Sequence, residues 1–597
     1  MRYNLSRHFS FIFLCMLAWV LLFFLYRSVT GISLDLTFGF FVFYAFGLAC
    51  EFAIVFFLLT AFFSRYSGLV HALICIIPAF IITSLLVADF LVYRLFRLHI
   101  DMAMLTMFFG PGSDDIFVFP AIMYVKAAAI FGAIFCLLLL FWWLSGKIGP
   151  KPRKIMLRLL LIIFVPSIVV YHGLNSWARF NMFRPVLSQE SVLPLAHSLS
   201  LNTMFKDLGF EPVETIDRFE AKTLNYPLSE ITYTDPGGLN IVVIMIDSWR
   251  FDAFFPEATP NIYNFSQSAV VAESHNANAN QTRHGVYTFF YGIAGAYWEA
   301  TLASGISPVF MDTLQDQDYE FGIYGSSTLT SPEFDKTVFI KFNDYDRFTE
   351  GQNGAEKDLV ITNKFLNFLD ERDVGKPFFT FLFYDSSHSY RYDSTISPPL
   401  FLPEKQPDYI NPDADWGPTR NLYLNCVHYV DVLVGRALDA LAEHQLLDNT
   451  IVIITGDHGE EFNDLKMNFS GHNSNFSPYQ VHVPFIIYWP GKKPGQITYP
   501  TSHMDVVPTL MAHALGVNTP AEDYSLGVDM FIPERKNYIY MRGPSGGYGI
   551  QIGDTVHSFP AVGPYYSVYA KDYQPSNEKL DIQIYQTVLN ELKRFRK

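Results

Sequence analysis

Cysteine is scarce in this sequence, and most of it lies in apolar stretches. Only five cysteines occur among 597 residues. Cys15, Cys50, Cys75 and Cys136 fall in long hydrophobic runs, which leaves Cys426 as the single thiol of the remaining chain. A lone thiol cannot form an internal disulfide, so a disulfide-stabilised fold is excluded there, and cysteine usage does not identify the compartment.

Lys and Arg residues are also fewer than Asp and Glu residues, 42 against 57. The formal net charge is −15, and the sequence contains no basic stripe and no nucleic-acid-binding motif, so we expect no nucleic-acid partner. Half of the chain is hydrophobic, yet 17% of it is charged. This mixture predicts a membrane-embedded part joined to a soluble part.

Five apolar segments follow one another from the start of the chain, at about 9–26, 38–63, 69–93, 121–144 and 155–172. Each approaches or exceeds the ~20 residues that a helix needs to cross a bilayer. The first is not a signal peptide, because its apolar run is long, no clear small-residue cleavage site follows it, and four more spans do. We therefore predict a domain of five transmembrane helices over residues 1–172.

The Lys and Arg residues that flank these segments predict their orientation. Most of them fall on one side: Arg2, Arg7, Arg65, Lys147, Lys151, Arg153 and Lys154. Arg94 and Arg97 oppose this bias. Because cytoplasmic loops carry the excess of Lys and Arg, the N-terminus is predicted to be cytoplasmic. An odd number of spans then places the chain after residue 172 in the periplasm of a bacterium, anchored as a multi-pass protein of the inner membrane.

Four ionisable residues lie within or at the edges of the spans: Glu51, His71, Asp89 and Lys126. One interpretation is a buried polar site for a lipid or a partner, since such groups are costly in hydrocarbon. The other is snorkelling toward the interface, which suits His71, Asp89 and Lys126. Only Glu51 is predicted to lie deep.

Residues 173–236 are predicted to form an interfacial linker. Aromatic and basic side chains mix directly after the last span, as in Trp177, Arg179, Phe183 and Arg184. This composition places rings at headgroup depth and guanidinium groups near lipid phosphates, so Arg179, Phe183 and Arg184 are candidate lipid-binding residues. The alternative is ordinary anchoring without lipid specificity.

From Leu239 onward the chain alternates short apolar strands with helical patterns, which predicts a mostly parallel sheet sandwiched by helices. The clear strands are 241–247, 377–384, 450–455 and 483–489, and the helical patterns are 259–269, 358–372 and 419–445. We predict an α/β domain over 237–597. Its tail from about 535 to 597 is a smaller subregion, with hairpin-like strands and a helix near 577–596.

Two of these strands end in a carboxylate. IVVIMID ends at Asp247, and IVIITGDHGEE delivers Asp457 and His458 just after its strand. Ligands bind beyond the carboxyl ends of the strands in such sheets, and this donor set suits a divalent metal ion. The alternative is that each Asp merely caps the following helix.

Three further residues are candidates for catalysis. Thr282 lies in a polar loop that enters an apolar run, where its hydroxyl is either a plain helix cap or a metal-activated nucleophile. His388 follows the strand PFFTFLFY, and His472 lies in a Gly-His-Asn turn after the GDHGEE loop. Both histidines are predicted to contact phosphate oxygens or to protonate a leaving group, although a lone His is commonly a surface residue.

The motifs of residues 239–516 resemble the sulfatase branch of the alkaline phosphatase superfamily. They occur in the order seen there: IVVIMIDSWRFD, ATPNIYNF, KPFFTFLFYDSSH, GDHGEE, VPFIIYWPG and HMDVVPTLM. With the five spans and the WARFNMFRPV linker, the whole chain resembles inner-membrane sulfatase-like proteins. The resemblance implies an alkaline-phosphatase-like α/β domain with Asp247, Thr282, Asp457 and His458 at the positions of metal ligands.

Two departures from the family pattern narrow the expected chemistry. Sulfatases carry a C/S-x-P-x-R motif, whose first residue becomes formylglycine, whereas the matching region here reads NQTRH, so a true sulfatase is not expected. Many relatives have a second Asp after the first, where this chain has Ser248, which implies one metal ion. We expect Mg²⁺ or Mn²⁺, ahead of Zn²⁺ or Ca²⁺. A Thr nucleophile with one metal resembles lipoteichoic-acid synthases and phosphoethanolamine transferases.

Two functions of different classes remain open. The first is an enzyme in which a metal-activated Thr282 attacks the phosphorus of a lipid phosphate ester. The second is a regulator of lipopolysaccharide and outer-membrane lipid homeostasis. For it, the resemblance implies lipid A or cardiolipin as membrane ligands and an adaptor of the LapB type as a partner at the cytoplasmic or membrane side. The absent formylglycine motif and the anchoring linker favour the regulator, with residual phosphatase chemistry.

Overall fold

The protein is described from a computed structural model. The described residues are 2–29, 36–66, 68–96, 99–100, 105, 121–181, 183, 186–187, 189, 192–196, 199, 201–210, 224–234, 238–408, 414–467, 469–559, 567–570 and 572–596.

Within this described part, five helices are long and apolar enough to cross a membrane, as the sequence predicts. They are α1 (Arg2–Val29), α2 (Leu36–Ala61), α3 (Gly68–Phe96), α4 (Ala121–Lys147) and a fifth composed of α5 (Pro150–Leu159), a π-helical turn (Leu160–Phe164) and α6 (Val165–Asn181). Helix α1 packs against α2, α3 and α4, and α2 packs against α6. The fifth helix thus continues to Asn181, beyond the predicted end of the span.

Ionisable side chains of the bundle have polar partners inside it. His71 is 2% exposed, and its Nε2 lies 3.2 Å from Nδ1 of His8. Asp89 accepts a hydrogen bond from the Tyr26 hydroxyl at 2.8 Å. Both side chains are therefore held inside the bundle, which favours the buried polar site over snorkelling along its outer surface. Glu51 contacts Nε2 of His172 at 2.5 Å.

The strands of the soluble part are β1 (Asn240–Ile246), β2 (Val270–Ala272), β3 (His275–Asn276), β4 (Glu320–Gly325), β5 (Phe378–Tyr384), β6 (Thr450–Gly456), β7 (Glu461–Phe462), β8 (Ser470–Gly471), β9 (Phe485–Tyr488), β10 (Gly495–Ile497), β11 (Thr501–Ser502), β12 (Ile539–Arg542), β13 (Tyr548–Ile552), β14 (Thr555–Phe559) and β15 (Ser567–Tyr569). The remaining helices are α7 (Asn202–Asp207), α8 (Pro260–Ser266), α9 (Thr282–Tyr291), α10 (Trp298–Ser304), α11 (Val309–Asp316), α12 (Gly354–Glu371), α13 (Ser386–Ser389), α14 (Gly417–Glu443), α15 (Pro478–Val481), α16 (Val506–His513) and α17 (Ile582–Glu591).

A seven-stranded sheet in the order β10-β2-β9-β6-β1-β5-β4 forms the centre of this domain. Strands β4, β5, β1 and β6 are parallel, and β9 is antiparallel to both β6 and β2. Every residue of β1 is buried, as expected for a strand without polar alternation. Alternate β1 residues face two different cores: Ile241, Val243 and Met245 pack with residues of α9, α11 and α16, whereas Val242, Ile244 and Ile246 pack with residues of α12 and α14. The predicted mostly parallel sheet between helices is confirmed.

The chain after the sheet forms a separate antiparallel unit. Strands β12, β13, β14 and β15 pair in sequence as a four-stranded sheet, and α17 follows them. Val588 of α17 and Leu592, the residue after this helix, are buried in the core that also contains Tyr540 of β12. The hairpin-like strands and the C-terminal helix predicted for the tail are therefore present.

The membrane helices contact the soluble domain near β8, which pairs with β7 in a two-stranded sheet. Helix α3 contacts β8, and Leu95 near the end of α3 is 1% exposed within the apolar cluster that includes Trp416 and Phe462. Lys126 of α4 extends its ammonium group to Asp408 of the soluble domain at 2.6 Å. Two helices of the bundle thus meet the soluble domain directly.

Candidate metal centre

The register of the central strands brings three chain segments to one edge of the sheet. Ile246 at the end of β1 lies opposite Tyr384 of β5 and Gly456 of β6. Asp247 and Asp457 are the next residues along their strands. Because parallel neighbours end at the same edge, the two carboxylates are adjacent, as the sequence predicts.

Helix α9 approaches the Asp457 backbone very closely, and a glycine permits this. A Cβ atom on Gly285 would lie 2.1 Å from the carbonyl oxygen of Asp457, which is far inside any real contact distance. This approach places Thr282, the first residue of α9, at the site. Its Oγ1 lies 3.1 Å from Nε2 of His458 and 3.5 Å from Oδ2 of Asp247.

The four predicted metal ligands therefore come together. Nε2 of His458 lies 3.6 Å from Oδ1 of Asp247 and 3.5 Å from Oδ2 of Asp457. Asp247, Asp457 and His458 are buried, each at most 3% exposed, and Thr282 is half-buried at the rim. The three buried residues offer ligand atoms that all lie within 4.8 Å of one another.

The hydrogen bonds around these groups leave acceptor atoms facing one another. Oδ1 of Asp457 accepts from the backbone N–H groups of Ser248 and His458, at 3.0 and 2.8 Å. Its Oδ2 is buried and accepts no hydrogen bond from any residue in the described part of the chain. Nδ1 of His458 lies 2.9 Å from the Gly459 carbonyl, so it carries the proton, and Nε2 faces Asp247 and Asp457 with its lone pair.

This donor set fits a bound cation. Burial and the neighbouring Asp457 raise the pKa of Asp247 to about 6, and burial raises the pKa of Asp457 to about 6. Burial and the nearby His472 lower the pKa of His458 to about 3, so the imidazole is neutral, as a metal ligand must be. Two buried carboxylates and an imidazole lone pair that point at one place repel each other without a positive charge between them.

The histidines predicted for catalysis flank the candidate metal ligands. The ring of His472 lies 4.4 Å from that of His458 and 5.4 Å from that of His388. His472 contacts Oε2 of Glu460 through Nδ1 at 2.9 Å, and Glu460 accepts a second hydrogen bond from the Tyr390 hydroxyl at 2.7 Å. His472 is therefore fixed in orientation beside the candidate metal ligands.

The carboxylates around His388 favour its protonated form. Burial alone would lower its pKa, but the carboxylates of Asp247, Asp385 and Glu460 outweigh burial and raise the pKa to about 10. Nδ1 of His388 lies 3.6 Å from Asp385. Asp247, Asp385 and His388 also satisfy the spacing of a metal site. A protonated imidazole is a proton donor and not a ligand, so His388 fits the role of acid better than that of ligand.

Asp385 and Glu460 were missed by the sequence reasoning. Asp385 directly follows β5, and the same position after a buried strand identifies Asp247 and Asp457. Glu460 is buried, and the hydrogen bonds from His472 and Tyr390 hold its pKa below the usual value in spite of burial. No spacing rule in the sequence distinguishes it from Glu461.

The candidate lipid-binding residues lie far from this centre in the chain, at the end of the fifth helix. Arg179 is exposed on the last turn of α6, and the ring of Phe183 lies 5.5 Å from that of Trp177. Arg184 is outside the described residues. Their binding of lipid stays a prediction.

Comparison with known proteins gives a family match for each part of the chain. Residues 239–517 match the sulfatase family, and residues 2–233 match a domain of unknown function, DUF3413. We call this matched part of the chain, residues 239–517, the sulfatase-family domain. Among curated relatives, the inner membrane protein YejM of Salmonella typhi is 25% identical over 468 residues, which are 76% of this chain and 73% of that protein. The DUF3413 match covers the five apolar helices, and the alignment with this relative is longer than the soluble part alone.

Solved structures that resemble the sulfatase-family domain lie at low identity. The lipoteichoic acid synthase LtaP from Listeria monocytogenes is 17% identical with a TM-score of 0.46, over 64% of this chain and 95% of that one. A protein in the alkaline phosphatase superfamily from Vibrio parahaemolyticus is 18% identical with a TM-score of 0.44, over 64% of this chain and 92% of that one. At these scores neither structure contributes to the assignment of function.

Proposed function

We propose that the sulfatase-family domain binds one divalent metal ion between Asp247, Thr282, Asp457 and His458, and cleaves or transfers a phosphate ester of a membrane lipid. The observation that supports this most strongly is the buried, unpartnered Oδ2 of Asp457, which faces Nε2 of His458 beside the second carboxylate. Oxygen-rich sites of this kind select Mg²⁺ or Mn²⁺, and the imidazole also allows Zn²⁺. Ser248 stands where many relatives have a second acid, so one ion is proposed.

The bound ion would act as a Lewis acid on the phosphoryl oxygens. Thr282 supplies the nucleophile: its Oγ1 forms the new bond to phosphorus, while its proton leaves toward Oδ2 of Asp247, 3.5 Å away. The bond from phosphorus to the leaving oxygen breaks, and that oxygen takes a proton from His388 or His472. The start of α9 adds backbone N–H groups that favour an anion. Water or an acceptor hydroxyl then attacks the phosphorus and gives its proton to the histidine that lost one. The bond from phosphorus to Oγ1 breaks, and Thr282 regains its proton from Asp247.

The contact between the bundle and the soluble domain supports a substrate held in the membrane. Helix α3 contacts β8, and His472 is the residue that follows β8. A phosphate ester at headgroup depth would therefore lie near the histidines of the site. A water-soluble substrate would not require a site that lies against the membrane helices.

A comparison of two aryl esters tests the proposed chemistry. We expect the full-length protein, purified in detergent and supplied with Mn²⁺, to hydrolyse p-nitrophenyl phosphate and to leave p-nitrophenyl sulfate intact, because Thr282 cannot become formylglycine. Release of p-nitrophenol is measured by its yellow absorbance, with a chelator-treated sample as the control. Hydrolysis of the sulfate ester, or none of the phosphate ester with any divalent ion, would overturn the proposal.

A second proposed function is regulation of lipopolysaccharide and outer-membrane lipid homeostasis. The aromatic and basic composition at and just after the end of the fifth helix supports it, and the proposed contacts of lipid A or cardiolipin are Phe183 and the exposed Arg179. The basic stretch of residues 147–154, where α4 passes into α5, is the proposed contact for a cytoplasmic adaptor of the LapB type. Its role as a topology determinant is the competing explanation.

Complementation of a depletion strain tests this second function. We expect a truncated chain that ends near residue 190 to restore growth, because it retains the spans and the lipid-binding residues, whereas outer-membrane integrity suffers. Membrane fractionation must first establish that the truncated chain is inserted. An inserted chain that fails to restore growth, together with failure of full-length Thr282→Ala, would make catalysis the essential function.

The location is proposed to be the bacterial inner membrane, with the N-terminus in the cytoplasm and the sulfatase-family domain in the periplasm. The five helices and the name of the Salmonella relative support the membrane, and the Lys and Arg bias supports the orientation. We expect alkaline phosphatase fused after Lys597 to be active and a fluorescent protein that folds only in the cytoplasm to be dark. The reverse pattern would contradict the orientation.

A further inference from the structure

A second cluster of metal-ligating side chains lies inside the membrane bundle and plays no part in the proposed reaction. His8 lies on α1, and His71 and Cys75 lie on α3. All three are buried, with exposures of 0%, 2% and 0%. His71 and Cys75 are four residues apart on one helix and thus share a face that meets α1. We call these three residues the bundle cluster.

The distances within the bundle cluster are close to those between ligands of a common ion. Nδ1 of His8 lies 3.2 Å from Nε2 of His71 and 3.2 Å from Sγ of Cys75. Each side chain offers one ligand atom, and the three atoms lie within 4.8 Å of one another. Around a tetrahedral ion with metal–nitrogen bonds of about 2.0 Å and metal–sulfur bonds of about 2.3 Å, ligand atoms are roughly 3.3–3.6 Å apart. Small side-chain movements would thus suffice.

A hydrogen bond from α2 fixes the tautomer of His8. The Thr60 hydroxyl donates to the Phe56 carbonyl at 2.6 Å, so its oxygen accepts the hydrogen bond from Nε2 of His8 at 3.0 Å. Nε2 therefore carries the proton, and the lone pair of Nδ1 points toward His71 and Cys75. A hydrogen-bond acceptor behind the distal imidazole nitrogen is the usual outer support of a metal-binding histidine.

We propose that His8, His71 and Cys75 bind one borderline-soft transition-metal ion of the Zn²⁺ type within the bundle. Two imidazoles and a thiolate select such an ion over Mg²⁺ or Mn²⁺, which require oxygen ligands. Binding releases the thiol proton of Cys75, and the thiolate cancels one of the two positive charges. The ion links α1 to α3, and Thr60 ties α2 to the same point, so binding stiffens this end of the bundle.

The competing explanation is a hydrogen-bonded network without an ion. In it, Nδ1 of His8 accepts from the N–H of His71 and the S–H of Cys75, which also satisfies these buried groups. Cobalt separates the two explanations, because a thiolate bound to Co²⁺ absorbs in the near ultraviolet and a hydrogen-bonded thiol does not.

The test uses the full-length protein in detergent with Asp457→Ala, which removes a ligand of the soluble metal centre. We expect Co²⁺ titration to produce the thiolate absorption with one ion per chain, and Zn²⁺ to bleach it by displacement. Adding Cys75→Ser should abolish the band and weaken Zn²⁺ binding at least tenfold by elemental analysis. Cys50→Ser is the matched control, because Cys50 is equally buried, on α2, and should leave the band unchanged.

The Co²⁺ titration of the Asp457→Ala protein requires no substitution in the bundle. It therefore distinguishes a bound ion from a hydrogen-bonded network even if Cys75→Ser disturbs folding. Absence of the band from the Asp457→Ala protein would overturn the proposal in favour of the hydrogen-bonded network. Persistence of the band in Cys75→Ser would also overturn it. His71→Ala is the second variant, and it should retain at most a weakened band while eluting as a monodisperse particle.

Discussion

Asp457→Asn is expected to abolish metal binding by the sulfatase-family domain and yet to raise its thermal stability in the presence of a chelator. The wild-type carboxylate is fully buried, and its Oδ2 is unpartnered within the described structure. An amide keeps the carbonyl oxygen on the backbone N–H groups of Ser248 and His458 and turns its NH₂ group toward Nε2 of His458. The change removes a buried charge without removing a hydrogen bond.

The size of this effect follows from the cost of the buried charge. Burial raises the pKa of Asp457 to about 6, and with about 1.4 kcal/mol for each pKa unit the ionised group costs about 3 kcal/mol at neutral pH. Because the folded-state pKa is raised, this cost is fully present above about pH 6. It disappears as the pH falls toward the pKa of the unfolded chain, near about 4. The stability advantage of Asp457→Asn should shrink over the same window.

Thermal denaturation with EDTA and with Mn²⁺ measures both parts of this prediction. Mn²⁺ should raise the Tm of the wild type and leave that of Asp457→Asn unchanged, because an ion that binds only the folded state stabilises it. Asp431→Asn is the matched control: Asp431 is another buried carboxylate whose pKa burial raises to about 6, but it accepts hydrogen bonds from Asn261 and Ile262. Its Mn²⁺ response should remain. An Asp457→Asn protein that still responds to Mn²⁺ would refute the ligand assignment.

Thr282→Ala is expected to lower the hydrolysis of a phosphate ester by at least about a thousandfold while the domain keeps its metal ion. The loss is large because the hydroxyl is the proposed nucleophile and nothing else at the site replaces it. Asp247, Asp457 and His458 remain as ligands, so the affinity for metal falls far less than the turnover. Thr282→Ser retains the hydroxyl and should keep part of the activity.

Initial rates and metal content of the three proteins, measured on the same preparations, test this prediction. Trapping of a phosphorylated residue by acid quench adds a direct readout, since it should appear with wild type and Thr282→Ser only. Equal rates for wild type and Thr282→Ala would eliminate the nucleophile. Loss of metal in parallel with rate would reassign Thr282 to a structural role as a ligand.

The parts of the site that the sequence predicts are those carried by single strands. IVVIMID and IVIITGD each bury a whole strand and end in a carboxylate, so their pairing at one edge follows from the parallel arrangement. The strands farther from the centre of the sheet lack this signal: the edge strand β4 carries two glycines in six residues, and β2 has only three residues. Partial burial and short length remove the apolar run on which the prediction depends.

Contacts between distant segments could not be predicted in the same way. Lys126 and Asp408 are 282 residues apart, and nothing local in either segment specifies the other. His8 and His71 lie on different membrane helices, and their meeting depends on how those helices pack. The position of Asp385 directly after β5 can be predicted from the sequence. Its contact with His388 is seen only in the structure.

Anomalous scattering from crystals of the full-length protein grown with Mn²⁺ tests the central claim most directly. The account predicts one peak at the manganese edge in the soluble domain, bounded by Asp247, Thr282, Asp457 and His458. Repetition with Asp457→Ala should remove it. Two peaks at this edge of the sheet, a peak between Asp385 and His388 instead, or none at saturating Mn²⁺ would contradict it.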